Sequence, residues 1–329
     1  MKNKKFNIPR VAIIILNWNG WVDTVECLES LYHINYRYYD VIIVDNGSKD
    51  NSLQKIENYC EGNIKIDPLY SSYESSNKPI SLLKLTKKEA ESKVKLKKKF
   101  LNLANNRKLI LISIKKNSGF ARGCNIGSIF AIFNLKPDYI LLLNNDTVIE
   151  KNFLMELVKI SESDDMIGIV GPEILFYEKP HKNQFEDKYK EIRKPTEVEW
   201  VSGCAILIKF KLIKSIGLLD TIFFSYYEET DYIERAKKSG YKIVYVPTKH
   251  KIYHKYCATT NKIPGMYFFY MIRNAIIFRK KHSNIKEFYL YTFRYIREGI
   301  RLYLHTSFFV NFLKGIISGV ILSFTRNEV

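Results

Sequence analysis

Cysteine is scarce and shows no pairing pattern. The 329 residues include five, Cys27, Cys60, Cys124, Cys204 and Cys257, widely spaced and without a CxxC pair. That excludes a disulfide framework and a thiolate zinc site, and it points to free thiols in a reducing compartment. Acidic residues are in deficit too: 34 Asp and Glu against 52 Lys and Arg leave a formal charge of +18. Hydrophobic residues still make up 46% of the chain, so this is not the composition of a disordered basic tail. A folded protein with that excess attracts polyanions, whether nucleic acid, an anionic membrane face or phosphorylated small molecules. The opening MKNKKFNIPR runs into a strand-length apolar segment and lacks the apolar core and small-residue cleavage site of a signal peptide, so no leader is expected. No long uninterrupted apolar run is present either. Leu302 to Phe324 comes nearest, but His305, Asn311 and Lys314 interrupt it; a span needs about 20 mostly apolar residues, so an amphipathic or core helix is expected.

What is present is organised around Tyr139 to Thr147, YILLLNNDT. Four consecutive apolar residues, Ile140 to Leu143, read as a strand buried on both faces that stops at Asn144-Asn145-Asp146. Ligands of open α/β sheets collect at the carboxyl ends of the strands, where these side chains are placed to hold a metal and a phosphate-bearing ligand. The alternative is a capped turn leading to a helix at about Phe153.

The flanking segments alternate in the same way. VAIIIL (residues 11–16) reads as a strand, followed by the loop Asn17 to Gly20 and a helix from Asp23 or Thr24 to Tyr32. DVIIVD (40–45) is a second strand, its end Asp45-Asn46-Gly47-Ser48 having the chemistry of a strand-to-helix junction. Together they imply a right-handed crossover and a parallel sheet. Residues 62–108 loosen into a lysine-dense insertion, read as a solvated helix. LILISI (109–114) restores a strand and leads into KKNSGFARGCNIG, where Gly119, Gly123 and Gly127 permit close backbone approach and Asn117, Arg122 and Asn125 supply donors at a helix start.

Residues 176–195 read as a polar surface loop, and Trp200 with Ser202-Gly203 stands at the mouth of a further buried strand. Glu228, Glu229 and Asp231 crowd the first turn of the next helix, where the dipole favours carboxylates. His254 follows the last strand on a loop. From Gly265 the chain is helical, aromatic and basic, suited to stacking on bases or to a membrane interface.

The series ILNWNG, VIIVDNGSKDNS, NSGFARGCNIG, LLLNNDTVI, WVSGCAILI, YYEETDY, VYVP and YH, in this order, resembles the family 2 glycosyltransferases, closest to their rhamnosyltransferase-like branch. The resemblance spans about residues 8 to 282, apart from the insertion. It implies an α/β GT-A fold, Rossmann-like, with a mostly parallel central sheet, flanking helices and a C-terminal helical extension. It implies inverting transfer of a sugar, rhamnose in that branch, from a nucleotide-diphosphate sugar to a glycan or lipid-linked acceptor. Asn17, Asp45, Asn117, Gly119, Arg122, Asn144 and Asn145 would face the nucleotide sugar, and Trp200, Ser202 and Gly203 the acceptor and sugar pocket. Asp146, at the family's DxD position, and His254 would hold Mn²⁺ or Mg²⁺. The first acid of that motif is Asn144 here, which offers only a neutral oxygen. Glu229 stands where the family places its general base, usually an aspartate, with Glu228 and Asp231 as alternatives.

The resulting expectation is a transferase domain over residues 1–264 and a membrane-associating helical region over 265–329. The protein would act peripherally at the cytoplasmic face of the membrane in surface polysaccharide or glycolipid synthesis. The competing classes are a nucleic-acid-binding protein, motivated by charge, and an inactive relative that only binds nucleotide sugar, motivated by Asn144 and Glu229.

Overall fold

The computed structural model describes residues 8–247, 249–255, 265–304 and 306–325. Cys257 and His305 lie outside the described residues.

The first half alternates strands and helices: β1 (Val11–Asn17), α1 (Trp21–Tyr32), β2 (Tyr39–Asp45), α2 (Ser52–Glu61), β3 (Ser81–Thr86), α3 (Lys87–Ala90), α4 (Lys98–Leu101), β4 (Lys108–Ser113), α5 (Phe120–Asn134) and β5 (Tyr139–Asn144). There follow β6 (Thr147–Ile149), α6 (Phe153–Ser161), β7 (Ile167–Pro172), β8 (Ile174–Phe176), α7 (Glu186–Tyr189), β9 (Thr196–Glu197), β10 (Ala205–Lys209) and α8 (Phe210–Ile216). The chain closes with α9 (Glu228–Lys238), β11 (Lys242–Val246), β12 (Ile252–His254), α10 (Met266–His282), α11 (Ile285–Tyr303) and α12 (Phe309–Thr325).

Nine strands form one sheet in the order β3-β4-β2-β1-β5-β10-β7-β11-β9. β3 through β5 run parallel, and β10 is inserted antiparallel between β5 and β7. The all-apolar runs of β1, β2 and β5 follow from this position: alternate residues feed two core clusters, Ile13, Ile15 and Leu141 on one side of the sheet, Ile14, Ile42 and Leu142 on the other. With both faces covered, β1 and β5 end side by side, Leu16 in register with Asn144. A second sheet, β6-β12-β8, stands next to that edge. It pairs His254 with Thr147, so His254 ends a strand beside Asp146 instead of lying on a loop.

The lysine-rich segment departs from the expected solvated helix. SLLKLT forms β3, an edge strand in parallel register with β4, and the lysine-dense remainder folds only into the two short helices α3 and α4. β3 ties the segment to the sheet by backbone bonds to β4, an anchorage that a polar helix without an apolar stripe lacks. Lys78 anchors the segment by a buried ion pair with Glu29 at 3.1 Å, Tyr59 donating to the same carboxylate.

Candidate active site

A cleft of about 360 Å³ opens at the carboxyl ends of the central strands. One wall is Asn144, Asn145 and Asp146, where the parallel pairing of β5 with β1 stops and the chain turns into β6. Asp146 Oδ1 lies 3.2 Å from His254 Nε2, both side chains 9% exposed. Burial pushes the Asp146 carboxyl upward, but the charge and hydrogen bond of His254 outweigh it and hold it below its ordinary value. Burial likewise pushes His254 down, and the opposing pull of Cys204 and Asp146 leaves it well above the usual imidazole range. Gln184 fixes the ring: its Oε1 lies 3.0 Å from His254 Nδ1 and its Nε2 donates to the His254 carbonyl at 2.9 Å. The segment read as a surface loop therefore reaches into the cleft, because the short β8 and the turn after it carry Gln184 back against β12.

Opposite stand Glu228 and Glu229 at the start of α9, both lining the cleft. Burial, then the adjacent Glu229 charge, raises the Glu228 carboxyl well above its ordinary value, and its Oε2 has no hydrogen-bond partner among the described residues. Burial raises Glu229 as well, against hydrogen bonds from its own backbone amide, Thr230 and Trp200. Like charges packed together disfavour the doubly ionised pair, so both carboxyls are raised and the pair holds a proton more readily than two separate glutamates. Gly203 packs beneath: a Cβ there would meet Glu229 Cγ at 3.1 Å. Asp231, the third carboxylate considered from sequence, is not among the cleft-lining residues. It is fully buried against Arg235, Lys281 and His282, at 2.8, 2.7 and 2.7 Å.

The loop before α9 is held in an uncommon shape. Tyr226 and Tyr227 are consecutive at φ 69° and 71°, a region that costs side-chain-bearing residues about 1–3 kcal/mol each. Its restraints come from α10: Asn274 Nδ2 donates to the carbonyls of Ser225 and Tyr226 at 2.8 and 2.7 Å, and Arg273 donates to Ile222 at 2.9 Å. Tyr270 stacks on Phe224. On the other side, Phe224 sits so close to Gly119 that a Cβ at 119 would lie 2.4 Å from the Phe224 carbonyl, and Gly119 has φ +86°. Only glycine satisfies both conditions. Sequence reasoning missed Asn274, although a lone Asn inside MIRNAIIF was a visible anomaly.

Of the residues assigned to the nucleotide, Asn117, Gly119, Asn144 and Asn145 line the cleft. Asn17 and Asp45 do not; they are buried together, Asn17 Nδ2 donating to Asp45 Oδ2 at 2.7 Å while Thr24 donates to Asn17 Oδ1 at 2.8 Å. Arg122 is exposed on α5 outside the lining. Asn46, unremarked from sequence beyond its turn, lines the cleft and joins the turn after β2 to the start of α5, its Nδ2 donating to Asn117 Oδ1 at 3.0 Å and the Gly119 carbonyl at 3.2 Å. Trp200, Ser202 and Gly203 all line the cleft, Lys188 lying over the Trp200 ring.

Asp146 and His254 meet on this wall, with Asn144 Nδ2 3.4 Å from the same Nε2, and among the described residues no cluster of three or more acidic, His or Cys side chains could hold a metal. A carboxylate and an imidazole still fit a divalent cation that takes its remaining ligands from phosphate and water oxygens, since Mg²⁺ and Mn²⁺ sites are commonly completed by substrate.

Comparison with known proteins agrees with this geometry. Residues 12–77 match the model of Glycosyl transferase family 2. The chain is 28% identical over 143 residues to the low-salt glycan biosynthesis hexosyltransferase Agl10 of Haloferax volcanii, covering 39% of this chain and 46% of that protein. It is 32% identical over 77 residues to the N-acetylglucosaminyl-diphospho-decaprenol L-rhamnosyltransferase of Mycobacterium tuberculosis (H37Rv), covering 22% and 25%. The chain thus aligns with less than half the length of these curated relatives. Among solved structures, S. aureus TarS 1-349 superposes with a TM-score of 0.53 at 17% identity, covering 94% of this chain and 81% of that one. The mannosyltransferase PcManGT from Pyrobaculum calidifontis, in complex with GDP-Man and Mn²⁺, gives 0.56 at 12% identity, covering 98% and 89%. At such identities the likeness is one of fold. The fold and the cleft at its strand ends are those of a GT-A protein. The match of residues 12–77 and the two glycosyltransferase relatives together support a family 2 glycosyltransferase.

Proposed function

We propose that this protein is an inverting, metal-dependent glycosyltransferase that moves a sugar from a nucleotide-diphosphate sugar to a lipid-linked glycan acceptor. The observation that carries the reading is the meeting, in one cleft, of the Asp146–His254 pair with the Glu228–Glu229 pair. In this reading Asn117, Gly119, Asn144 and Asn145 receive the donor, and Asp45, Asn17 and Arg122 frame the nucleotide end. Trp200, Ser202 and Gly203 form the wall against which sugar and acceptor lie. Asp146 and His254 would hold Mn²⁺ or Mg²⁺, which supplies charge neutralisation to the departing diphosphate.

The acceptor hydroxyl must lose its proton as it attacks the anomeric carbon, and Glu229 accepts it. Burial raises Glu229 and makes it a stronger base than a solvated carboxylate, and Glu228, raised beside it, belongs to the same coupled pair. A single base with no second carboxylate as nucleophile gives single displacement and inversion. The mycobacterial relative's name specifies rhamnose and a lipid diphosphate acceptor, which supports a deoxyhexose donor and a lipid-linked acceptor here.

Residues 1–264 carry the transferase chemistry in this proposal and residues 265–329 the membrane-associating surface, α10 serving both. Among the described residues no helix is long and apolar enough to cross a membrane. α11 and α12 nevertheless expose Phe293, Leu302, Val310 and Ile317, each more than half accessible, beside Arg294, Arg297, Arg301 and Lys314. An apolar strip with interspersed cations suits an interface with anionic lipid. The test is transfer from a panel of nucleotide sugars to a lipid-diphosphate glycan with and without Mn²⁺, with product anomeric configuration read by NMR. Nucleotide binding without transfer to any acceptor would leave only the inactive-relative reading.

A further inference from the structure

A second cavity, of about 340 Å³, lies between α10, α11 and α12 and is lined by Phe268, Ile272, Tyr291, Leu302, Tyr303 and Phe312 among others. Tyr267 and Met271, successive turns of α10, line both this cavity and the catalytic cleft. The two spaces are therefore neighbours separated by two side chains. Helix packing alone does not explain the opening, because elsewhere in the bundle the helices touch closely: a Cβ at Gly315 would fall 2.9 Å from the Phe269 carbonyl, and one at Gly319 2.9 Å from the Arg273 carbonyl. A bundle that packs so tightly at its glycines while leaving an aromatic and aliphatic hollow beside the cleft has the form of a ligand site.

The charges around the hollow are mostly positive. Arg294 lines it, and Arg279 lies over the ring of Tyr291 at 4.1 Å. Glu298, the acidic residue of the lining, is met by Arg297 at 2.9 Å and Arg301 at 3.8 Å, so it does not dominate the rim. An apolar interior with a cationic rim is complementary to a single aliphatic chain bearing a phosphate.

We propose that this hollow binds the first isoprenoid-type units of the acceptor's lipid chain, with its phosphate at Arg294, so that the glycan end passes Tyr267 and Met271 into the cleft. The inference rests on the reading of the protein as a transferase with a lipid-linked acceptor, and it adds where the lipid sits. Arg294 and Leu302 belong both to this lining and to the exposed α11–α12 face, so the vesicle arm of the test separates chain recognition from docking on a bilayer.

The experiment measures melting temperature and saturable binding of the full chain with farnesyl phosphate, farnesol, inorganic phosphate and phosphatidylglycerol vesicles, and in parallel with UDP and dTDP. Farnesyl phosphate is expected to bind saturably and raise the melting temperature, with affinity at least tenfold above farnesol or phosphate alone. Arg294→Glu should weaken it at least tenfold, as should Leu302→Trp, which adds bulk to an exposed part of the lining. Both variants should keep the nucleotide-induced shift. Arg294 is a surface side chain, so its variant carries the test even if the tryptophan impairs folding. Vesicle binding without farnesyl phosphate binding, or farnesyl phosphate binding untouched by Arg294→Glu, overturns the proposal while leaving the transferase reading standing if nucleotides still bind. Farnesyl phosphate binding lost in Arg294→Glu, with no nucleotide binding by any variant, supports the hollow and removes the transferase reading.

Discussion

Asn274→Ala removes the two hydrogen bonds by which α10 holds the carbonyls of Ser225 and Tyr226. Asn274 is fully buried, so no solvent replaces the lost donors. Stripping a partner from a buried acceptor costs about 1–3 kcal/mol, which for two carbonyls centres on roughly 4 kcal/mol. The loop has a second outlet. Tyr226 and Tyr227 occupy the left-handed region, and release of the Ser225 and Tyr226 carbonyls lets the loop recover about half of their combined strain, roughly 2 kcal/mol. The two terms oppose, so the expected stability loss is roughly 1–3 kcal/mol, a fall of about 2–12 °C in melting temperature. The catalytic loss should be larger, because the relaxed loop no longer presents Glu229 at the first turn of α9. We expect kcat to drop about a hundredfold or more with nucleotide affinity within a factor of two, measured by steady-state transfer and nucleotide titration. Asn274→Asp, which keeps size but loses the donor, should behave alike. Unchanged kcat in a variant whose melting temperature has fallen would refute the positioning role and leave Asn274 purely structural.

Asp146→Asn should abolish sugar transfer with circular dichroism unchanged, and with it any effect of Mn²⁺ on nucleotide affinity; undiminished turnover would count against the metal assignment. Glu229→Gln should stop transfer while donor binding persists, whereas Glu228→Gln, at the glutamate not assigned as the base, should keep most activity. Because the folded Glu228 carboxyl is raised, wild-type stability declines as pH rises above the ordinary glutamate value; Glu228→Gln should flatten that decline in urea titrations at several pH values. Asp231 is affected oppositely: burial opposes, but His282, Arg235 and Lys281 hold it down to about 2. Its contribution, about 2 kcal/mol, is present above pH 4 and lost as pH falls toward 2, so Asp231→Asn should destabilise at pH 7 and converge with wild type in acid.

The parallel half of the fold was legible because its strands are buried on both faces and read as continuous apolar runs, as in VAIIIL and YILLLN. The GT-A assignment followed from motifs at strand ends, which the wall of Asn144 to Asp146 and the turn at Glu228–Glu229 occupy as an open sheet requires. What escaped depends on contacts distant in sequence. β3 was hidden among lysines because an edge strand needs only one neighbour, and SLLKLT alone has too little apolar content to declare it. Gln184 gave no hint in a polar loop, since its place beside His254 is set by β8 pairing with β12. Asp231 looked equivalent to its neighbours because first-turn carboxylates share a helix end; only the contacts of Lys281 and His282, fifty residues on, separate it from the cleft.

The reversed direction of β10 has an engineering consequence. The parallel strands deliver their loops to the cleft after the strand is complete, whereas β10 brings Trp200 to Cys204 there before its first paired residue. Under the proposed function, exchanging residues 185 to 204 between relatives, which leaves Gln184 and its hold on His254 in place, is expected to change the accepted glycan while β1, β2, β4 and β5 stay intact.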